Sequence, residues 1–310
     1  MIGTGTGGAK APPVSFAVLA ASLAGLLLAA CSTQPSTEES IARAETLGWR
    51  MSDIETGTFP LRVLLSPLAA AKVRAGHLTI YIEGDGNAWL SSTRASPDPT
   101  PKRATALAMA LADGGGHVVY LGRPCQYIRV RACSPEMWTS ARYGEQILRA
   151  IDGAIDRVKV LTGASSLQLV GYSGGGTLAV LAASRREDVT GIITVAANLD
   201  IEAWVRIRGL TPLYGSLNPA ALGPAAARVP QIHLAAEDDE VVPMSVLDSF
   251  LRRTGQAKAA RLRVVPGMDH RSDWSAIWPD LVRQARALLA AQVPGQVSFA
   301  PRAGRRPSSR

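Results

Sequence analysis

Three kinds of side chain that can cooperate in acyl transfer occur in order along this chain. Gly171-Tyr172-Ser173-Gly174-Gly175 sets a serine among glycines, Glu237-Asp238-Asp239-Glu240 is a run of carboxylates, and His270 follows both. A serine hydroxyl attacks a carbonyl poorly unless a base takes its proton. An imidazole is that base when a carboxylate fixes its tautomer and offsets its charge. Only four histidines are present. His77 and His117 precede the serine and begin predicted strands, and His233 lies inside one. His270 stands in a loop directly after the predicted strand Leu262–Val265, where a side chain can turn toward a site. The bare Gly-x-Ser-x-Gly pattern is weak, so its worth depends on the elements around it.

Those elements form a rhythm from residue 57 onward. Strands are predicted at Leu61–Leu65, Leu78–Ile82, Val118–Leu121, Leu167–Val170, Gly191–Ala196, Gln231–Leu234 and Leu262–Val265. Helical stretches fall between them at Lys102–Asp113, Tyr143–Leu161, Gly175–Ser184 and Ser245–Arg253. A final one carries Trp278, Leu281, Val282, Leu288 and Leu289. Ile147, Leu148, Ile151, Ile155 and Val158 have the spacing of one helix face. Strands alternating with helices predict an α/β domain, with a mostly parallel sheet covered on both faces. Ligands in such sheets sit at the carboxyl ends of the strands. Ser173 falls there, between a strand and a small-residue helix.

A strand, a tight turn bearing the serine and a helix constitute a nucleophile elbow. On these residues the chain resembles the α/β-hydrolase superfamily, over residues 57–292. The resemblance implies Ser173 as nucleophile and His270 as base. The segment Ala236-Glu237-Asp238-Asp239-Glu240-Val241-Val242-Pro243 is similar to the superfamily's Gly-x-x-Asp-x-x-Val-Pro, with Ala236 in place of Gly. It implies Asp239 as the acid, with Asp238 the second candidate. The backbone N–H of Gly174 becomes one oxyanion donor. Glu83-Gly84-Asp85-Gly86-Asn87 follows the buried strand at the position of the family's His-Gly-x loop, so the N–H of Asp85 becomes the other; a plain glycine turn is the alternative. Glu83 replaces the usual His, and a carboxylate at residue 85 opposes an oxyanion unless it turns away or is paired, with Arg123 as one partner. The stretch Asp200–Val229 reads as a small cap over the site. There Trp204, Leu213 and Tyr214, with Leu210, Leu217 and the more distant Trp89, line an acyl pocket or form the cap's own core. The resemblance implies a cofactor-independent serine hydrolase, with no metal, acting on a small-molecule or lipid-like carboxylic ester through an acyl-enzyme. Amide, thioester and lactone substrates stay open, as does a non-catalytic envelope protein that keeps the fold for binding.

The N-terminus points to export. Val14–Ala30 is apolar or small throughout, follows Lys10, and ends at Cys31 before a polar stretch. Seventeen residues suit the hydrophobic region of a signal. Leu28-Ala29-Ala30-Cys31 resembles the lipobox of bacterial lipoproteins, which implies lipidation at Cys31 and anchoring in the cell envelope. A plain signal peptide or a membrane anchor is the alternative. Cys125 and Cys133 then remain as an even pair, a disulfide in an oxidising compartment or two reduced thiols. The expected organisation is a signal peptide over 1–30, a linker over 31–56, the hydrolase domain over 57–292 and a disordered basic tail over 293–310. The net charge of +8 invites a nucleic-acid reading. Lys10, Arg302, Arg305, Arg306 and Arg310 account for five of those charges, leaving +3 on the body. That is an ordinary surface balance, and no nucleic-acid partner is expected.

Overall fold

The computed structural model describes residues 34–71, 74–256 and 261–292. The apolar run, Cys31 and the basic tail lie outside the described residues. Eight strands form one sheet: β1 Arg50–Ile54, β2 Leu61–Leu65, β3 His77–Ile82, β4 Val118–Leu121, β5 Ser166–Tyr172, β6 Val189–Val195, β7 Gln231–Ala236 and β8 Leu262–Val265. Their spatial order is β1-β2-β4-β3-β5-β6-β7-β8. The β1–β2 and β2–β4 pairs are antiparallel, and the pairs from β4 through β8 are parallel.

Side-chain alternation makes two cores. In β3, Leu78, Ile80 and Ile82 enter one core and Tyr81 the other; in β5, Leu167 and Leu169 oppose Val170 and Tyr172. The first core is closed by the short α2 (Pro67–Ala70), α4 (Glu145–Thr162), α5 (Gly174–Ala183) and α7 (Met244–Arg253), the second by α3 (Thr105–Ala112) and α8 (Trp274–Ala291). Helix α4 is amphipathic as its spacing predicts, and it ends on Gly163 in the left-handed conformation (φ 63°), a common helix stop. Every residue of α5 is buried, which explains its small, uniformly apolar sequence.

The predicted linker is not one. Residues 37–46 form α1 (Thr37–Thr46), started by a Ser36–Glu39 capping box, and β1 pairs with β2 along its length. Four of the five β1 residues are exposed, so an edge strand with almost no apolar pattern escaped the reading. The excursion 200–229 also divides. Helix α6 (Ile201–Arg208) and the chain to Leu213 reach the cleft described below, whereas the 3-10 stretch Pro219–Ala227 packs on α5 and α7. Only the first half therefore borders the cleft.

Candidate active site

The turn between β5 and α5 forces Ser173 into φ 50°, ψ −122°, a strained conformation for a residue with a Cβ. The two motif glycines make that turn possible. A Cβ on Gly171 would come within 2.4 Å of the Gly175 backbone, and one on Gly175 within 2.1 Å of the Ile82 carbonyl. Glycine at both positions lets the elbow press against the end of β3.

His270, in the loop after β8, has its Nε2 3.0 Å from Ser173 Oγ and its Nδ1 2.8 Å from Asp239 Oδ2. With Nδ1–H donating to the carboxylate, Nε2 is left as the acceptor for the serine proton. The other oxygen of Asp239 accepts from the backbone N–H groups of Val241 and Val242 at 2.9 and 2.7 Å, so the carboxylate cannot swing. Asp239 and His270 are buried, while Asp238, Glu237 and Glu240 are exposed. Asp239, and not Asp238, is the carboxylate that reaches His270. Tyr172 adds a support that sequence did not signal: its hydroxyl donates to the His270 carbonyl at 2.6 Å. His233, inside β7, is buried with Nδ1 at 2.8 Å from Thr194 Oγ1, and burial lowers its pKa to about 3. It belongs to the core.

Asp85 follows β3 and lies beside the elbow, since a Cβ on Gly174 would fall 2.1 Å from its Oδ1. The carboxylate does not turn away; it is paired. Arg123 Nη1 donates to Oδ1, Arg142 Nη1 to Oδ2 at 2.7 Å, and the Tyr143 hydroxyl reaches both oxygens at 2.8 and 3.0 Å. Burial alone would raise the Asp85 pKa, but the attraction of Arg142 and then Arg123 overrides it and holds the group at about 2. Both arginines are buried. Two guanidinium charges against one carboxylate leave this cluster with one positive charge in excess, which offsets the repulsion expected from Asp85 alone.

Glu83, the residue ahead of this loop, is 1% exposed. Its Oε1 accepts from the N–H groups of Gly84 and Ala106 at 2.8 and 3.4 Å, the latter in the first turn of α3. Burial pushes its pKa up to about 7 against those hydrogen bonds. Where the family pattern has His, this chain therefore holds a carboxyl group that ties the loop to a helix N-terminus.

These residues open into a cleft of about 1430 Å³. Ser173, His270 and Asp85 line it together with Trp89, Trp204 and Leu213. Trp204 is fixed by an indole N–H bond to the Val241 carbonyl at 2.7 Å. Tyr214 corrects the expectation: it is 73% exposed and does not line the cleft, whereas Arg208, Leu210, Thr211 and Pro212 do. Leu217 packs against the core instead. Cys125 and Cys133 form a disulfide. Among the described residues no cluster of three or more His, Cys, Asp or Glu is arranged to hold a metal ion, and no helix is long and apolar enough to cross a membrane.

The sheet order, the elbow and the placement of all three residues at strand carboxyl ends decide the architecture. The fold is that of the α/β hydrolases. No protein-family model and no curated protein matches the sequence. Solved structures do. Est1E from Butyrivibrio proteoclasticus is similar at 15% identity over 78% of this chain and 99% of that one, with a TM-score of 0.54. XC6422 from Xanthomonas campestris, described as an α/β serine hydrolase without a lid, is similar at 15% identity over 80% and 97%, with a TM-score of 0.51. A puromycin-hydrolyzing peptidase from Mycobacterium tuberculosis is similar at 14% identity over 79% of this chain and 39% of that one, with a TM-score of 0.57. At such identities the likeness carries the hydrolase fold and nothing finer.

Proposed function

We propose that the protein is a serine hydrolase that cleaves a carboxylic ester through an acyl-enzyme. The observation that carries this reading is the continuous relay from Ser173 Oγ through His270 to Asp239, at 3.0 and 2.8 Å, with its serine in an open cleft. As Ser173 Oγ bonds to the carbonyl carbon, its proton passes to His270 Nε2 and the carbonyl π electrons move onto oxygen. Asp239 balances the imidazolium. The N–H groups of Gly174 and Asp85 face the oxyanion, within the positive field of Arg123 and Arg142. Collapse expels the alcohol, which leaves with the proton from His270. Water then repeats the sequence on the acyl-enzyme and frees the acid and Ser173.

The Est1E, XC6422 and peptidase likenesses are compatible with either ester or amide cleavage. The ester is preferred here because it needs less leaving-group protonation from a single His270. Export and lipidation at Cys31, placing the domain in the cell envelope, belong to the same reading. The test is intact mass before and after a fluorophosphonate probe. A single adduct on the folded protein, absent in Ser173→Ala, is expected. A folded protein that takes up no probe would overturn the reading in favour of a binding protein with a hydrolase fold.

A further inference from the structure

The described chain begins inside the cleft it serves. Gln34 lines the cleft, is 8% exposed, and donates through Nε2 to Thr105 Oγ1 at the start of α3. The following residues hold it there: the Thr37 N–H bonds to the Lys102 carbonyl at 2.9 Å, and Ser36 and Glu39 close the capping box of α1. Upstream, the apolar run ends at Ala30 and Cys31 follows. Two residues, Ser32 and Thr33, separate residue 31 from Gln34, so the chain from one to the other spans at most about 11 Å when fully extended. A domain of this size is roughly 45 Å across. If residue 31 is held at a bilayer, by a lipid on Cys31 or by the apolar run itself, Gln34 and the cleft wall it belongs to stay within that short distance of the lipid surface.

The mouth has the chemistry for such a surface. Trp89 and Leu210 line the cleft and are 43% and 41% exposed, with Leu90 and Ile207 exposed beside them in sequence. An indole at a wet, apolar rim suits the headgroup boundary. Of the exposed charged residues lining the cleft, Lys102, Arg103, Arg208 and Arg271 are cationic, and Glu39 and Glu136 are acidic. That balance favours an anionic lipid surface. Trp204 and Leu213, less exposed than Trp89 and Leu210, add an apolar wall to the cleft that Ser173 also lines.

We propose that the cleft opens onto the lipid surface from which the chain emerges, and that its substrate is the acyl ester of an amphiphile drawn from that surface. The proposal rests on the serine-hydrolase reading above. The short tether then sets access as well as location, because it keeps the cleft mouth on its substrate phase at high effective concentration.

The test uses the full chain, exported, purified from membranes in detergent and reconstituted into vesicles of phosphatidylethanolamine and phosphatidylglycerol carrying a fluorogenic long-chain ester. It is compared with a chain carrying a 30-residue Gly/Ser insertion between Ser32 and Thr33, whose r.m.s. reach is about 30 Å. The expected result is a loss of about tenfold or more on the embedded ester, with turnover of a soluble butyryl ester unchanged within twofold. Equal rates on the embedded ester for both chains, with Ser173-dependent turnover of the soluble ester intact, would overturn the orientation and leave the hydrolase reading standing. Recovery of the exported chain in the soluble fraction, or its self-association through this rim with no tether effect, would overturn it too. If the unmodified chain cleaves neither ester, the hydrolase reading falls and this inference with it.

Discussion

Two carboxylates, Asp113 buried and Asp85 half-buried, are each gripped by arginine and a tyrosine hydroxyl, and they serve different ends. Asp113, just after α3, receives Arg286 in a bidentate pair at 2.8 and 2.7 Å and the Tyr81 hydroxyl at 2.7 Å, which in turn accepts the Trp278 indole N–H at 2.7 Å. One cation meets one anion, and the network stitches β3, α3 and α8 together. Asp85 instead receives two buried guanidiniums and lies at the wall of the cleft. That cluster keeps one positive charge in excess beside the elbow. A matched network consumes its own field in holding the fold, whereas a mismatched one leaves field available to a visitor.

The sharpest way to break that comparison is to neutralise each acid in turn. Asp85→Asn strands two buried cations and loosens the loop that carries the residue 85 N–H, so we expect a stability loss of about 3 kcal/mol and, although the local positive charge grows, a fall of about 100-fold in kcat/KM. Denaturant melts and ester kinetics measure both, and an unchanged or higher kcat/KM would reduce Asp85 to a counter-charge. Asp113→Asn should cost about 2 kcal/mol, discounted because the Arg286 side chain is 32% exposed, and leave kcat within twofold.

Glu83 gives a pH-dependent intermediate effect. Its pKa in the folded chain, about 7, lies above the unfolded value of 4.5, so the folded state holds a proton that the unfolded state has lost. Stability must then fall as pH rises from about 4.5 to about 7. Glu83→Gln should remove on the order of 1–3 kcal/mol of that fall and melt higher than the parent at pH 8. Parallel melting curves from pH 4 to 8 would contradict it. Tyr120, Tyr127 and Tyr172 are the titratable neighbours, and all three stay neutral in this range because burial raises their pKa values. The smallest change is Tyr143→Phe, which removes one donor from Asp85 and leaves both arginines; about 1 kcal/mol and a few-fold loss in kcat/KM are expected.

What the sequence disclosed follows from local rules. Alternating burial in β3 and β5, the face of α4 and the glycines of the elbow each reflect neighbours within a few residues. The order Ser173, Asp239, His270 could be read because each stands just past a recognisable strand. Arg142 and Tyr143 could not, because their link to Asp85 spans nearly sixty positions and no periodicity marks it. Requiring a partner for the Asp85 charge reached Arg123, but that argument cannot count how many cations converge. Tyr214 failed for the converse reason: in an irregular stretch nothing fixes which way a side chain faces, and this one faces water. The edge strand β1 lacked the apolar face on which strand recognition depends.

The Cys125–Cys133 bridge reaches further than the loop it closes. Within that loop Cys125 and Tyr127 both hold positive φ, at 68° and 64°, a conformation that costs non-glycine residues on the order of 1 kcal/mol each. Gln126, between them, accepts the Arg123 N–H at 3.1 Å and donates to the Gly84 carbonyl at 3.0 Å, one residue ahead of Asp85. A covalent bond between two sulfurs thus sustains an uphill turn whose middle residue braces the loop bearing Asp85. A thiol reductant is therefore expected to loosen the wall of the cleft without touching any group that lines the serine, which would make the redox poise of the surroundings a determinant of chemistry in which no sulfur takes part.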